Sequence, residues 1–228
     1  EQLIEIIGRN FSGEIQCDGY VVYKTYAKTN ALVKLLACLA HIRRNFVEVL
    51  DAGPDPDAAI ILSLIGELYG IEADLRTAGA TPALRYSQRA QRSAAIVGRI
   101  REVMEVTQAK HRPASLMGKA LFYGLGHWAS LARYLEDGHF EIDNNLAENA
   151  VRPLKLGAKN WLFFGSQHAG HNAAVIYTLV ENCRRHGIPV EEYLCELLTR
   201  LPGETDLETI ASLTPARKAA ARREKSAA

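Results

Sequence analysis

At 228 residues the chain is long enough to bury a sizeable core, as one domain or as two small ones. Its 48% hydrophobic and 23% charged residues are an ordinary globular composition. A formal net charge of +1 excludes a polyanion-binding character spread over the whole surface, and no apolar run approaches the roughly 18 residues of a membrane span.

Positive charge is concentrated locally. Between Arg85 and Arg112 seven Lys/Arg face two Glu, and between Thr214 and Ala228 five face one. Such clusters can hold phosphates even when the total is near neutral, although solvated helix faces are their commoner role. The four cysteines, Cys17, Cys38, Cys183 and Cys195, are too scattered for a disulfide framework and suit a reducing cytoplasm. The opening Glu1-Gln2-Leu3-Ile4-Glu5 has neither an initiator Met nor the basic segment of a secretory signal, as expected of a fragment or an incomplete reading frame.

In chain order, residues 3–7 read as the end of a helix, and 14–18 as a short strand running into the Gly19-Tyr20 turn. A second strand is predicted at 33–37 and a helix at 41–50, with Ile42, Phe46 and Val49 on one side. Asp51-Ala52-Gly53-Pro54-Asp55-Pro56 breaks the chain. From 57 to about 137 the pattern is helical. Ile61, Leu64, Ile65, Leu68, Ile71 and Leu75 form one stripe, a second helix carries Val97, Ile100 and Met104, and a third covers about 115–135. Arg85, Arg89, Arg92 and Arg99 fall at i, i+4, i+7 and i+14 and are expected to share a face.

After Gly138 the chain reads as irregular through Ile142, then as a helix opened by Asp143, Asn144 and Asn145, with Pro153 expected to kink or shorten it. Residues 161–164, Trp-Leu-Phe-Phe, read as a strand or buried extended segment, 173–186 as a helix stopped by Gly187, and 189–201 as a last helix. The tail from 202 is polar, rich in Ala, Arg and Lys, and expected to be disordered. The reading is α/β, then a helical block, then more α/β or α, with the block inserted between two pieces of one core.

Three constellations could carry chemistry. Asp18 ends a short strand immediately before a glycine. That position exposes a carboxylate where open α/β sheets place ligands, although an Asp before Gly is more often turn chemistry. The run from Glu141 to Pro153 packs acids and amides around a helix start, with Asn144, Glu148 and Arg152 successively i, i+4 on one face. Its bland counterpart is helix capping plus an exposed Glu148–Arg152 pair worth about 0.3–0.5 kcal/mol. Cys38-Leu39-Ala40-His41 offers half of a zinc site with no second pair at finger-like spacing, or a buried thiol beside a hydrogen-bonded imidazole. His168 and His171, in a Gly-bordered segment expected to be a loop, lack a third ligand.

Asp18-Gly19-Tyr20 followed by Cys38-Leu39-Ala40-His41-Ile42-Arg43-Arg44-Asn45-Phe46 resembles the middle of the insertion-sequence-66 family of bacterial transposases. Glu141 to Pro153, then Leu156-Gly157-Ala158-Lys159-Asn160-Trp161-Leu162-Phe163 and Gly165-Ser166, resembles its C-terminal signature, as do Ala173 to Tyr177 and Gly187 to Leu194. The resemblance covers roughly residues 10–201, in order.

The resemblance implies an α/β ribonuclease-H-like catalytic core interrupted by an α-helical insertion, mostly helical in this chain. The expected divisions are 1–54 (partial core with the second-Asp strand), 55–137 (helical insertion), 138–201 (the Glu helix and the rest of the core) and 202–228 (basic tail). It implies an Asp-Asp-Glu site in which Asp18 takes the second-Asp position and Glu148 the Glu position, 130 residues apart across the insertion. The first Asp is expected upstream of residue 1, so metal binding would be incomplete unless another polypeptide completed it. Such carboxylates hold two Mg²⁺ or Mn²⁺ ions about 3.5–4 Å apart for phosphoryl transfer.

Cys38, His41, Asp143, Asn144 and Asn145 would support the site. Arg43, Arg44, Arg152, Lys155 and Lys159 would meet phosphates, and Asn160 would help position the strand. Expected partners are transposon-end and target DNA, further copies of the chain on that DNA, and companion element-encoded proteins. No membrane is expected, and the location would be cytoplasmic, on the nucleoid.

The sequence departs from the family pattern at Leu39 in place of Trp, Asn149 and Ala158 in place of Arg, and in lacking the Leu-Pro-Trp-Asn ending. A non-catalytic DNA-binding or assembly module using Arg85, Arg89, Arg92 and Arg99, or a decayed remnant, is the alternative.

Overall fold

The computed structural model describes residues 2–227, with side chains for 3–224. Helix accounts for 72% of the structure, and among the described residues strand is confined to one pair. The chain divides into two compact units, Glu1–Leu146 and Ala147–Ala228.

The first unit opens with α1 (Gln2–Ile7), β1 (Gly13–Cys17), α2 (Val21–Thr29) and β2 (Val33–Ala37). The strands pair in parallel, from Gly13 opposite Val33 to Cys17 opposite Ala37. A parallel pair cannot be closed by a tight turn, and α2 supplies the crossover. The sequence pattern did not reveal α2, because Tyr26 is its one fully buried side chain among otherwise polar or exposed neighbours. The Tyr26 hydroxyl donates to the Gly8 carbonyl at 2.6 Å and ties the crossover to the end of α1.

The helical part follows the predicted stripes. In α3 (Leu39–Ala52) Leu39, Ile42, Phe46 and Val49 are buried. In α4 (Pro56–Thr77) the Asp55 side chain accepts the Ala58 N–H at 2.9 Å, and Pro56 stands in the first turn, where its missing N–H costs nothing. Next come α5 (Pro82–Gln88), a π-helical turn (Arg89–Ser93) and α6 (Ala94–Gln108). The expected third helix is α7 (Leu116–Gly126) and α8 (Trp128–Ala132), parted at His127 and followed by a 3₁₀ turn (Arg133–Leu135). Ile42 and Phe46 of α3, Ile61 and Ile65 of α4, Ile100 of α6 and Leu121 of α7 are wholly buried in one cluster, which Ala37 of β2 and Ile142 also enter. The helices and the sheet piece therefore share a single core.

The second unit contains most of α9 (Asn145–Trp161), then α10 (Gln167–Arg185), α11 (Val190–Arg200), α12 (Leu207–Ser212) and α13 (Pro215–Ala227). Its small core is Cys183, Ile188, Tyr193 and Ala219. Gly187 adopts a left-handed φ of 64° that lets the Ile188 N–H turn back to the Cys183 carbonyl, so the predicted stop of α10 is present.

Four local expectations are corrected. Residues 161–164 form no strand: Trp161 closes α9, Leu162 takes a left-handed φ of 65°, and Leu162 and Phe163 are exposed. α9 continues past Pro153 to Trp161, so the proline does not shorten the helix. His168 and His171 lie in α10, started by Ser166, whose hydroxyl accepts the Ala169 N–H. The tail is helical, with Asp206 capping α12 through the Thr209 N–H and Ala219 of α13 buried in the unit's core.

Candidate active site

Asp18 stands one residue past β1, at the carboxyl end of a parallel strand. Its Oδ1 accepts the Tyr20 N–H at 3.0 Å, a local turn that fixes the carboxylate. Gly19 is required for a different reason. A Cβ there would stand 2.9 Å from both His127 Nε2 and Tyr123 Oη. The two rings, 4.3 Å apart, form a wall against which the Asp18–Gly19 corner is pressed. His127 Nδ1 lies 2.8 Å from the Tyr123 carbonyl, which can only accept, so the proton is on Nδ1. Tyr123 and His127, four residues apart across the α7–α8 break, were not among the predicted site residues; their spacing was the available signal.

Burial and the neighbouring Asp18 charge push the Cys17 thiol up to about 11. Burial also raises Cys38, against the opposing pull of the backbone N–H groups of Asn144, His41 and Ala40.

The segment 141–145 is stitched to the strand ends. Gln16 Nε2 donates to the Glu141 carbonyl at 2.6 Å, Leu39 N–H to the Ile142 carbonyl at 3.1 Å, and Asn144 N–H to Cys38 Sγ at 3.4 Å. The structure thus brings Cys38, Asp143, Asn144 and Asn145 into one region, with half-buried His41 one turn into α3. Asp143 is occupied structurally. Its Oδ2 accepts the Tyr69 hydroxyl and Asn145 Nδ2, both at 2.8 Å, and its Oδ1 accepts the Asn145 N–H. Burial, then the Asp143 charge and hydrogen bond, push the Tyr69 hydroxyl far above its ordinary range.

Glu148 lies on α9, half-buried, in the second unit. Arg152, Lys155 and Lys159 follow it at i+4, i+7 and i+11, so the three cations continue its face, and all three are exposed, as is Asn160. Arg43 and Arg44 are exposed on α3.

The predicted basic face is corrected. The π turn adds a residue to one helical turn and shifts everything after it, so Arg85, Arg89, Arg92 and Arg99 do not form one stripe. Arg89 is fully buried, with its guanidinium on Glu72 and on the carbonyls of Tyr134, Asp137 and Phe140. Arg85 is mostly buried between Glu72 and Glu141. Both are taken up inside the unit and are not available to a phosphate. Arg92 and Arg99 are exposed but pair with Asp74 and Glu102.

The carboxylate oxygens of Asp18 and Glu148 are the hard donors that Mg²⁺ or Mn²⁺ takes. Among the described residues no group of three or more His, Cys, Asp or Glu is placed to hold a metal ion, so neither Cys38 and His41 nor His168 and His171 form part of such a group. Also among the described residues, no helix is long and apolar enough to cross a membrane.

No solved structure matches the chain. Uncharacterized protein y4jD of Sinorhizobium fredii is 32% identical over 212 residues, spanning 90% of this chain and 41% of the relative. Uncharacterized protein y4qI of the same organism is 34% identical over 211 residues, spanning 90% and 39%. The chain thus spans about two fifths of the length of the curated relatives it matches. The Transposase IS66 family matches residues 1–172, from α1 through the Asp18 corner and α9 to the start of α10, and the chain belongs to that family.

Proposed function

We propose that the chain is part of a DNA transposase and contributes two of three metal-holding carboxylates, Asp18 and Glu148, to cleavage and strand transfer at the ends of an insertion sequence. The observation that carries this reading is Asp18 itself: a carboxylate at the carboxyl end of a parallel strand, its corner held by Tyr123 and His127, in a chain of a transposase family. On this reading 1–54 and 138–201 are pieces of a ribonuclease-H-like core, 55–137 is an insertion, and 202–228 is an appendage. Mg²⁺ or Mn²⁺ would be held by the two carboxylates and would supply charge neutralisation at the phosphate and a more acidic attacking hydroxyl. The Tyr20 N–H fixes the Asp18 carboxylate, and Arg43, Arg44, Arg152, Lys155 and Lys159 bind and orient the DNA backbone. The partners are transposon-end and target DNA, further copies of the chain on DNA, and companion proteins of the element, in the cytoplasm on the nucleoid.

The alternative of a binding or assembly module acting through a basic helix loses support, because Arg85 and Arg89 are internal. The test is Asp18→Asn in the native protein, read by strand transfer of an element end in Mg²⁺. Asn keeps the oxygen that accepts the Tyr20 N–H but not the charge. Transfer should be lost with folding intact, and full transfer by the variant would refute the assignment.

A further inference from the structure

Between Arg76 and Lys110 the first unit pairs every arginine and lysine with an acid. Arg76, Arg85, Arg89, Arg92, Arg99, Arg101 and Lys110 each pair with an acid. The cleft beside Asp18 does not follow that pattern. It measures about 420 Å³, and Lys24 and Lys28 of α2 and Arg133 of the 3₁₀ turn stand on its walls. Lys24 and Lys28 are one helical turn apart on the same face and exposed, and among the described residues none of the three cations has an acidic partner within ion-pair distance. Arg133 donates one N–H to the Leu35 carbonyl at 3.4 Å, which orients its guanidinium and leaves other N–H groups for a ligand. The rest of the wall includes Ala27, Leu35 and Ser130, and among the described lining residues Asp18 is the carboxylate.

Three cations against one carboxylate around a partly apolar cleft fit an anion that also carries a flat, weakly polar body. The geometry points to a site for one unpaired nucleotide of a DNA strand, its phosphate between Lys24, Lys28 and Arg133 and its base against Ala27 and Leu35. A duplex presents its phosphates outside and its bases stacked, so it does not fill such a cleft. A single strand can turn one nucleotide in. Lys24, Lys28 and Arg133 are positioning residues on this assignment: they hold the strand next to Asp18 and take no part in bond exchange.

The inference rests on the transposase reading, and its test is separable from that reading because it needs no metal and no turnover. Binding of a short labelled oligothymidylate and of a duplex of equal length is followed by fluorescence anisotropy in EDTA over a range of salt. Lys24→Gln with Lys28→Gln should weaken single-strand binding about tenfold and reduce the salt slope by about 1.4, the loss of two phosphate contacts on a single strand, while duplex affinity changes less than about twofold. Ser130→Phe, which keeps both lysines but fills the cleft, should weaken single-strand binding as well. Unchanged single-strand affinity in either variant, or equal losses for single strand and duplex, overturns the site. Loss of strand transfer in Asp18→Asn with normal single-strand binding leaves it standing, and intact strand transfer in Asp18→Asn refutes the catalytic reading without touching it.

Discussion

Arg89 and Glu72 form a two-pronged ion pair in which both side chains are inaccessible to solvent, with Nε to Oε1 at 2.7 Å and Nη2 to Oε2 at 2.9 Å. The remaining Arg89 N–H groups go to the carbonyls of Tyr134, Asp137 and Phe140, so one guanidinium joins α4, the π turn and the 3₁₀ turn to the segment leading into Glu141. A planar fork of five donors can do this where an ammonium cannot.

Arg89→Met leaves the Glu72 carboxylate buried without its main partner and three carbonyls without a donor. The expected loss is about 3–5 kcal/mol of unfolding free energy, measured by urea denaturation. Arg89→Lys should recover little of it. A loss below about 1 kcal/mol for the Met variant would show that the pair is not holding these elements.

Stability should be sensitive to acid. Burial alone would raise the Glu72 carboxyl, but the hydrogen bonds and charges of Arg89 and Arg85 outweigh it and hold it below 4.5. Glu141, between Arg85 and Arg76, is displaced in the same direction. Below 4.5 the unfolded chain takes up protons that the folded chain refuses. The stabilisation is therefore complete above that pH and is lost as pH falls through the lower folded values. The urea midpoint should be level between neutrality and about pH 5 and decline below about pH 4.5. Arg89→Met should flatten that decline.

Gly19→Ala forces a methyl group against His127 Nε2 and Tyr123 Oη. The expected cost is about 1–3 kcal/mol, with displacement of the Asp18 carboxylate. Strand transfer should fall further than stability does. His127→Ala in the same chain makes room and should restore most of the lost stability; no restoration would mean the corner is not pressed on that ring.

Asp143→Ala removes the acceptor for the Tyr69 hydroxyl and for both Asn145 donors. A loss of about 1–3 kcal/mol in thermal or urea unfolding is expected. Asp143→Asn, which keeps one oxygen, should cost less. Equal, negligible costs in both would make this carboxylate available for chemistry.

Glu148→Gln should lower strand transfer by at least about a hundredfold, the scale of losing one charged group at a phosphoryl-transfer site. Its unfolding curve should match the wild type within about 0.5 kcal/mol. Wild-type transfer would remove Glu148 from the mechanism.

Periodic apolar spacing and breaker residues were legible from the residues alone. The stripes of α3, α4 and α6, the strands around Ile15 and Leu35, the break before α4 and the Gly187 stop all follow from local geometry. The Asp18 corner was legible as a carboxylate at a strand end. What failed had causes outside the local pattern. α2 was hidden because a crossover helix with one buried residue carries almost no stripe. Residues 161–164 looked like a buried strand because four apolar side chains in a row do not say whether anything covers them.

The sequence by itself determined where the chain folds back and which faces are apolar, because each depends on neighbours within a few turns. Only the tertiary structure decided what each cation does. Arg89 and Lys24 are alike as isolated residues on helices, yet one is enclosed against Glu72 and the other, exposed, lines the cleft beside Asp18. That difference is set by long-range packing, which brings a carboxylate from another helix to the guanidinium and an open cleft to the lysine.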